Sequence, residues 1–270
     1  MHRFFSECIP EPGETGRLDP EESRHAYRVL RIRGGEIVEI INGTGGRASA
    51  RVLEVPGAPR RPLVEYEVQN LERCRRPSPL IHLCVAPPRA KAMAQIVQQA
   101  TELGARSISP VLCEFGVAKP AKNSSLAHWR QEAISAMKQS GNPWYPTLNE
   151  STAFSQCLQS NGQTNAVFGH CSASSPPTLP RLEEAEELIV WVGPEAGFSE
   201  SEQQQLLETG ARPVQLGPYI LRVETAVVAL LGWINGVAPH NPRTPPSPPK
   251  PEIHRDALSN LPKESCDSAH

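Results

Sequence analysis

The stretch Leu216–Ala226, LGPYILRVETA, joins a short apolar strand pattern, RPVQLG, to a helical pattern, ETAVVALLGWING. Between the two patterns lie Gly217, Pro218 and a single positive charge, Arg222. Glycine lets the backbone approach another molecule closely, and proline stiffens a loop. A loop of this composition between two buried elements predicts a site that holds a ligand largely through backbone groups, with the arginine at its edge.

A second loop has the same design. Residues 193–202, GPEAGFSESE, follow the strand pattern LIVWVG and lead into a helix for which Ser199 and Glu202 form a capping box. Ligands of open α/β sheets bind at the carboxyl ends of the strands, where free N–H groups at helix starts add donors. Either loop alone could be an ordinary strand-to-helix turn, but two in one domain favour a site.

The chain around these loops alternates strand and helix patterns from Leu80 onward. This alternation predicts an α/β domain with a mostly parallel sheet and helices on both faces. The predicted strands are LIHLCVA, SISPVL, NAVFGH, LIVWVG and RPVQLG, and the predicted helices are AKAMAQIVQQATELG, SLAHWRQEAISAMKQSG, SESEQQQLLETG and ETAVVALLGWING.

The first part of the chain has a different pattern, which is mainly β. Residues 36–43 and 47–55 alternate apolar and polar side chains on either side of GTGG, which predicts a hairpin. Before them, residues 19–31 predict a short helix with Asp19 as N-cap and Glu22 completing a capping box. On that helix Arg24, Arg28 and Arg31 fall roughly on one face.

The boundaries of three regions follow from composition. CRRPSP at 74–79 predicts a linker, so we expect a β domain at 1–75 and an α/β domain at 79–238. Residues 239–270 are rich in proline and poor in apolar residues, which predicts a disordered tail.

Composition also excludes several classes of protein. The net charge is -2, and residues 1–76 carry 13 arginines against 12 acids, which is typical of a solvated, ion-paired surface. Seven cysteines without C-x-x-C spacing indicate reduced thiols in the cytoplasm, and the scattered histidines argue against a metal site. No apolar run could span a membrane. The motifs of P-loop proteins and of serine hydrolases are absent, and GTGGRA reads as a hairpin turn.

At the two loops the sequence resembles the RsmE family of the SPOUT superfamily. Members of that family use S-adenosyl-L-methionine to methylate uracil N3 in 16S ribosomal RNA. The resemblance runs over nearly the whole chain, up to about Val237, and its most specific parts are WVGPEAGFSESE and LGPYILRVETA, in this order and about twenty residues apart. The other matching segments are HRFF, RHAYRVLRIRGGE, QQATELGARSISPV and EAISAMKQSG.

The resemblance implies a fold that periodicity cannot predict. It implies an N-terminal PUA-like β-barrel that helps to hold RNA, and a SPOUT-type α/β domain whose C-terminal part is threaded into a trefoil knot. It further implies that the catalytic domain pairs with a second copy as a homodimer. Expected partners are 16S ribosomal RNA or the small ribosomal subunit, with no membrane and no metal.

The resemblance also implies roles for individual residues. Arg222 is expected to promote the loss of the uracil N3 proton, with Glu195 or Glu224 as the base or as an anchor for Arg222. A helix-start carboxylate and a salt bridge to Arg222 are equally simple explanations of those two acids. The expected RNA contacts are Arg3, Arg24, Arg28 and Arg31. The expected cofactor-binding residues are Val192, Gly193, Pro194, Gly197, Leu216, Gly217, Ile220, Leu221, Thr225 and Ala226.

Several positions depart from the family pattern. Basic residues common in the family are absent, and some of their places are taken by polar or aromatic side chains. Four aromatic residues could replace charge with base stacking, or pack a dimer interface: Trp144, Tyr145, Phe115 and Tyr219. Two alternatives therefore stay open: a related RNA methyltransferase with another target nucleotide, and an inactive ribosome-binding homologue. The departures are Gln99, Phe115, Asn142, Ala196, Tyr219 and Val223.

Overall fold

In a computed structural model of the chain, the described residues are 1–53, 62–88, 90–117, 123–161, 165–170 and 185–237. The predicted proline-rich tail at 239–270 lies outside them. Residues Met1–His240 form one compact unit. That unit contains two sheets, one built from residues before the predicted linker and one built from residues after it.

The first sheet has five strands in the order β1-β3-β4-β5-β2. β1 lies parallel to β3, and the other neighbours are antiparallel. The sheet curls around a core that includes Phe4, Ile40 and Tyr66. Since β1 and β2 remain as edges, the described residues form an open half-barrel and not the closed barrel that the resemblance implied. The strands are β1 (Arg3–Phe5), β2 (Thr15–Arg17), β3 (Ile37–Ile41), β4 (Gly46–Val52) and β5 (Glu65–Arg73).

The predicted hairpin is confirmed as β3 and β4. The Asn42 side-chain oxygen accepts from the backbone N–H of Thr44 at 2.9 Å and of Gly46 at 2.8 Å. Gly43 and Gly45 have φ of 78° and 94°, a region that disfavours any residue with a Cβ. The GTGG turn is thus fixed by its glycines and by one asparagine.

The predicted helix at 19–31 is only partly correct. Asp19 caps α1 (Pro20–His25) as predicted, but the Glu22 carboxylate accepts from Lys138 Nζ and does not complete a capping box. Residues Ala26–Leu30 form a π-helical turn that ends at Arg31, whose φ is 55°. This wider turn brings Ile32 into the core of the half-barrel. The three arginines therefore do not share one regular α-helical face.

The second sheet is entirely parallel among the described residues, as predicted. Its order is β12-β10-β11-β6-β7-β8, and β9 also pairs with β7. The short strands β8 and β9 were not predicted, because two residues carry no periodicity. The strands are β6 (Leu80–Val85), β7 (Ser107–Leu112), β8 (Thr147–Leu148), β9 (Thr152–Ala153), β10 (Ala166–Gly169), β11 (Glu187–Val192) and β12 (Arg212–Val214).

Helices cover both faces of this sheet. The first apolar cluster joins one face to α2, α3 and α6, and the second joins the other face to α4 and α5. The predicted buried face of α2 is confirmed, since Met93, Ile96, Val97 and Ala100 are all buried. The helices are α2 (Ala90–Glu102), α3 (Asn123–Ser140), α4 (Phe154–Asn161), α5 (Glu200–Glu208) and α6 (Val223–Val237).

The two sheets are joined at the end of α3. The hairpin turn bonds to the segment after α3 through Gly45 N to Pro143 O at 2.9 Å and Tyr145 N to Gly43 O at 2.8 Å. The Trp144 ring packs directly on Gly45, so a Cβ at that position would overlap it. Backbone bonds and a close-packed ring therefore hold the half-barrel to the α/β part of the molecule.

Candidate active site

The two glycine-bearing loops leave the same edge of the parallel sheet. One follows β11 and the other follows β12, and β10 lies between these strands. Neighbouring strands are about 4.8 Å apart, so the loops begin roughly 10 Å from each other. The prediction that both loops lie at the carboxyl ends of the parallel strands is confirmed.

The loop after β11 contains a hydrogen-bonded turn and packs against buried aromatic rings. Gly197 has a φ of 82° and donates its N–H to Pro194 O at 2.8 Å, which closes a tight turn. A Cβ at Gly193 would lie 3.0 Å from the Phe198 ring, which is buried against Phe154 and Phe168. Both glycines are therefore required by the turn itself, and the backbone next to buried Val192 stays accessible.

The helix that follows this loop begins as predicted. Ser199 and Glu202 form the full capping box. The buried Glu202 carboxylate also accepts from the backbone N–H of Glu114 at 2.9 Å. This additional bond connects the start of α5 to the segment after β7, so the capping carboxylate fixes two neighbouring loops at once.

The loop after β12 is partly packed and partly open. Leu216 packs on the main core, and the Gln215 amide donates to Gly217 O at 3.2 Å. Beyond them Tyr219 is 82% exposed and Ile220 is 74% exposed. The expected cofactor contact Ile220 thus faces solvent, while Leu221 is half-buried.

Three charged residues occupy the rim of this edge. Arg222 is exposed, and its carbonyl accepts from Ala226 N at 2.9 Å where α6 begins. Glu195 is exposed in the first loop, and Glu224 is half-buried in the first turn of α6. Within the described residues the Arg222 guanidinium makes no ion pair, so the salt bridge considered from sequence is not formed.

The sequence did not identify His170 as part of this edge. It directly follows β10, the strand between the two loops, and its N–H donates to Val214 O at 2.9 Å. Its Nε2 lies 3.0 Å from Gln203 Oε1 on α5. The sequence could have indicated His170, because it is a polar residue at the carboxyl end of a predicted strand. Only the strand order places that residue between the two loops.

Known proteins match this chain over both sheets. The RNA methyltransferase domain family matches residues 76–235, and the RNA methyltransferase PUA domain family matches residues 18–57. The ribosomal RNA small subunit methyltransferase E of Aquifex aeolicus is 32% identical over 86% of this chain and 97% of that protein. The chain belongs to the ribosomal RNA small subunit methyltransferase E family.

Relatives in the methyltransferase E family support the same assignment in sequence and structure. The Synechocystis protein of that name is 28% identical over 83% of this chain and 73% of its own length. A crystal structure of the Neisseria gonorrhoeae enzyme bound to S-adenosyl methionine superimposes with a TM-score of 0.79 at 26% identity. That match covers 88% of this chain and 98% of the Neisseria chain.

The arginines expected to contact RNA in this methyltransferase E family member fall into two groups. Arg24, Arg28 and Arg31 are exposed on α1 and the turn after it. Arg3 is not comparably available, because it pairs with the buried Glu39 carboxylate and donates to the Lys138 carbonyl at the end of α3. These contacts connect the half-barrel to α3, so the RNA-binding surface proposed below does not include Arg3.

The two aromatic residues after α3, Trp144 and Tyr145, are half-buried, and an arginine lies beside each ring. The Arg76 guanidinium lies 4.5 Å from the Trp144 ring centroid, and Gly45 packs against the same ring. Arg130 lies 5.6 Å from the Tyr145 ring centroid. The stacking role considered for these rings from sequence stays a prediction, and the other two aromatic candidates, Phe115 and Tyr219, are exposed.

Two further features, a membrane-spanning helix and a metal site, are not found among the described residues. No helix among them is long and apolar enough to cross a membrane. Nor do three histidine, cysteine or acidic side chains in the same ranges group as ligands for a metal ion.

Proposed function

We propose that this protein transfers a methyl group from S-adenosyl-L-methionine to N3 of a uridine in 16S ribosomal RNA of the small subunit. The observation that carries the proposal is the pair of glycine-bearing loops at one sheet edge, with an unpaired arginine beside them. Family membership supports the RNA substrate. The Neisseria gonorrhoeae and Legionella pneumophila structures, both bound to this cofactor and both 26% identical to this chain, support the methyl donor.

The residues present fit the methyl donor. A Cβ at Gly197 or Gly217 would meet no atom within 4 Å, so both loops have open space beside their backbone. Bound S-adenosylmethionine supplies an electrophilic methyl group on a sulfonium. We assign its binding to backbone of the two loops and to the start of α6. The residues are Val192, Gly193, Pro194, Gly197, Leu216, Gly217, Ile220, Leu221, Thr225 and Ala226.

Arg222 is the proposed catalytic residue. Uracil N3 is a poor nucleophile until its proton is lost, and a neighbouring guanidinium lowers the pKa of that N–H by stabilising the anion. The Arg222 guanidinium has no carboxylate partner among the described residues, so its charge is not neutralised there and can stabilise the uracil anion. N3 lies on the Watson–Crick edge, so the target uridine must be unpaired or flipped out of its stack.

The proton acceptor is either Glu195 or Glu224. Glu195 is exposed on the loop after β11, and half-buried Glu224 lies two residues beyond Arg222. Neither is paired with Arg222 within the described residues, so each is available to accept a proton. Replacing each by glutamine separates them, because the base is the one whose loss removes turnover without weakening cofactor binding.

We also propose the trefoil knot and the homodimer that the family resemblance implies. β12 is an edge strand, yet α6 packs on α2 and β11 further into the domain, which is compatible with threading. The exposed stripe of α6, which includes Val228 and Gly232, carries no charged side chain. An uncharged, outward-facing helix stripe suits a second copy of the chain. The proposed location is the cytoplasm, where ribosomal RNA is found.

The experiment is methyl transfer from labelled S-adenosylmethionine to small-subunit ribosomal RNA, with the product mapped by mass spectrometry. We expect the wild type to form N3-methyluridine and Arg222→Ala to lose turnover while retaining cofactor binding. Arg212→Ala, which removes an exposed arginine from β12, is the control and should behave as wild type. Full turnover by Arg222→Ala would refute its role. Intact RNA binding without methylation by the wild type would indicate the inactive homologue.

The arginines of α1 and its following turn are proposed phosphate contacts. Replacing Arg24, Arg28 and Arg31 together by glutamine should weaken RNA binding and reduce its salt dependence, because fewer counterions are released. A salt slope equal to that of the wild type would exclude this role.

A further inference from the structure

Two arginines meet at the amino edge of the parallel sheet, opposite the methyltransferase loops. Arg76 precedes β6 and donates from Nη2 to Tyr145 O at 3.4 Å. Arg106 precedes β7 and donates from Nη1 to Thr147 Oγ1 at 3.4 Å. Alternate residues of an extended segment are only about 7 Å apart. The two guanidiniums are thus held by residues only two positions apart in the chain, and the charge of Arg106 contributes to the lowered pKa of Arg76.

Neither guanidinium has a carboxylate partner among the residues that the structure describes. Burial, together with the charge of Arg106, lowers the pKa of Arg76 to about 10. Other titratable groups at this edge are His82, whose Nδ1 lies 2.8 Å from Ser107 Oγ, and the exposed residues Glu186 and Glu187, of which Glu187 is 3.9 Å from His82 Nε2. Two like charges held together without an acid are unfavourable unless an anion joins them.

The geometry of the pair is fixed in advance. Arg76 stacks over the Trp144 ring, which is itself packed against Gly45. Two backbone hydrogen bonds hold Arg106. Its N–H donates to Ile81 O at 2.7 Å, and its carbonyl accepts from Thr147 N at 3.0 Å. Ordering two long side chains normally costs entropy on binding, and here much of that ordering exists without a ligand.

We propose that Arg76 and Arg106 form a phosphate-binding site for the backbone of the RNA substrate. The planar fork of arginine matches phosphate oxygens, and two guanidiniums that have no carboxylate partner among the described residues can together contact the RNA backbone. The inference rests on the proposed function, because it takes RNA as the ligand. Arg76 already lies over one face of the Trp144 ring, so no base can stack on that face. The ligand that we assign to the arginine pair is therefore a phosphate.

The distance of the arginine pair from the methyl-donor loops determines whether it affects RNA binding or cofactor binding. β6 spans six residues between this edge and the carboxyl edge, which corresponds to about 20 Å. A phosphate bound by the arginine pair thus belongs to a nucleotide distant from the methylated one. The site contributes to RNA affinity and orientation, and it leaves cofactor binding unchanged.

The test is RNA binding as a function of salt, using a labelled small-subunit ribosomal RNA fragment. The variant is Arg106→Gln, whose side chain is less buried than that of Arg76. Loss of one phosphate contact should reduce the salt slope by about 0.7–0.9 and weaken affinity about five- to eightfold near 0.1 M salt. Arg73→Gln is the matched control, because it removes the same charge from an exposed pair with Glu11 and should leave the slope unchanged. Arg106→Lys keeps the charge and should keep most of the slope.

Other outcomes would overturn the inference. If the wild type binds RNA and Arg106→Gln has the same slope and affinity, the site does not contact phosphate. If Arg73→Gln loses as much affinity as Arg106→Gln, the effect is one of net charge. If the wild type binds no RNA at all, the proposed function fails together with this inference. Cofactor affinity, measured by calorimetry, verifies that each variant is folded.

Discussion

Replacing Gly45 with alanine should destabilise the connection between the half-barrel and the parallel sheet. Gly45 has a φ of 94°, and a Cβ there would overlap the Trp144 ring. The ring cannot easily move away, since Arg76 lies over it and the backbone of Trp144 bridges to Thr44. The substitution therefore combines backbone strain with a steric clash in a close-packed junction.

Gly13 provides a control for the strain alone. Its φ is 91°, and a Cβ there would meet no atom within 4 Å. The left-handed conformation costs an alanine about 1–2 kcal/mol, and reduced freedom of the unfolded chain offsets about 0.4–1 kcal/mol of this. Overpacking adds about 1–3 kcal/mol at Gly45. Gly45→Ala should thus lower the free energy of unfolding by about 1–3 kcal/mol more than Gly13→Ala.

Urea denaturation of both variants measures this difference. In a Trp144→Ala background the ring is absent, so Gly45→Ala should cost no more than Gly13→Ala does. Equal destabilisation by the two glycine substitutions in the wild-type background would refute the reasoning. So would an undiminished cost of Gly45→Ala after the ring is removed, because the clash would then not be its cause.

Three further predictions concern the loops, the dimer and the thiols. In Gly197→Ala the free loop should give up its turn to relieve about 1–2 kcal/mol of strain, so S-adenosylmethionine binding, which restores the turn, should weaken about tenfold by calorimetry, whereas Gly210→Ala, at a similar φ after α5, should not weaken it. Val228→Glu should convert the proposed dimer to monomer in sedimentation experiments, and Leu207→Glu, on the exposed face of α5, should not. Burial raises the pKa of Cys113 to about 12, so its neutral thiol should resist iodoacetamide near pH 8 until urea unfolds the chain.

Much of the fold could be predicted from local sequence. Asp19 and the Ser199–Glu202 pair mark helix starts through bonds to residues two or three positions away. Strand and helix periodicity separated the β segment from the parallel α/β segment. The two Gly-Pro loops were recognisable as a site because their position relative to a parallel sheet follows from strand direction alone.

The failed or missing predictions share one physical cause, which is contact between residues distant in the chain. Glu22 was expected to cap its own helix, but Lys138 reaches it from α3. The contacts of Arg3 with Glu39 and the end of α3 were also missing from the sequence prediction, while its expected RNA contact stays a prediction. A short-range pattern cannot report which partner a charged side chain will find across an interface.

The sequence by itself determined the type and order of the elements, the two loops and the family, because these depend on local bonds and on motifs read in order. Only the tertiary structure decided that Trp144 contacts both Gly45 and Arg76, that His170 lies between the loops, and that Arg76 and Arg106 bond to residues two positions apart. These juxtapositions arise from strand order and sheet packing, which bring together residues up to 100 positions apart.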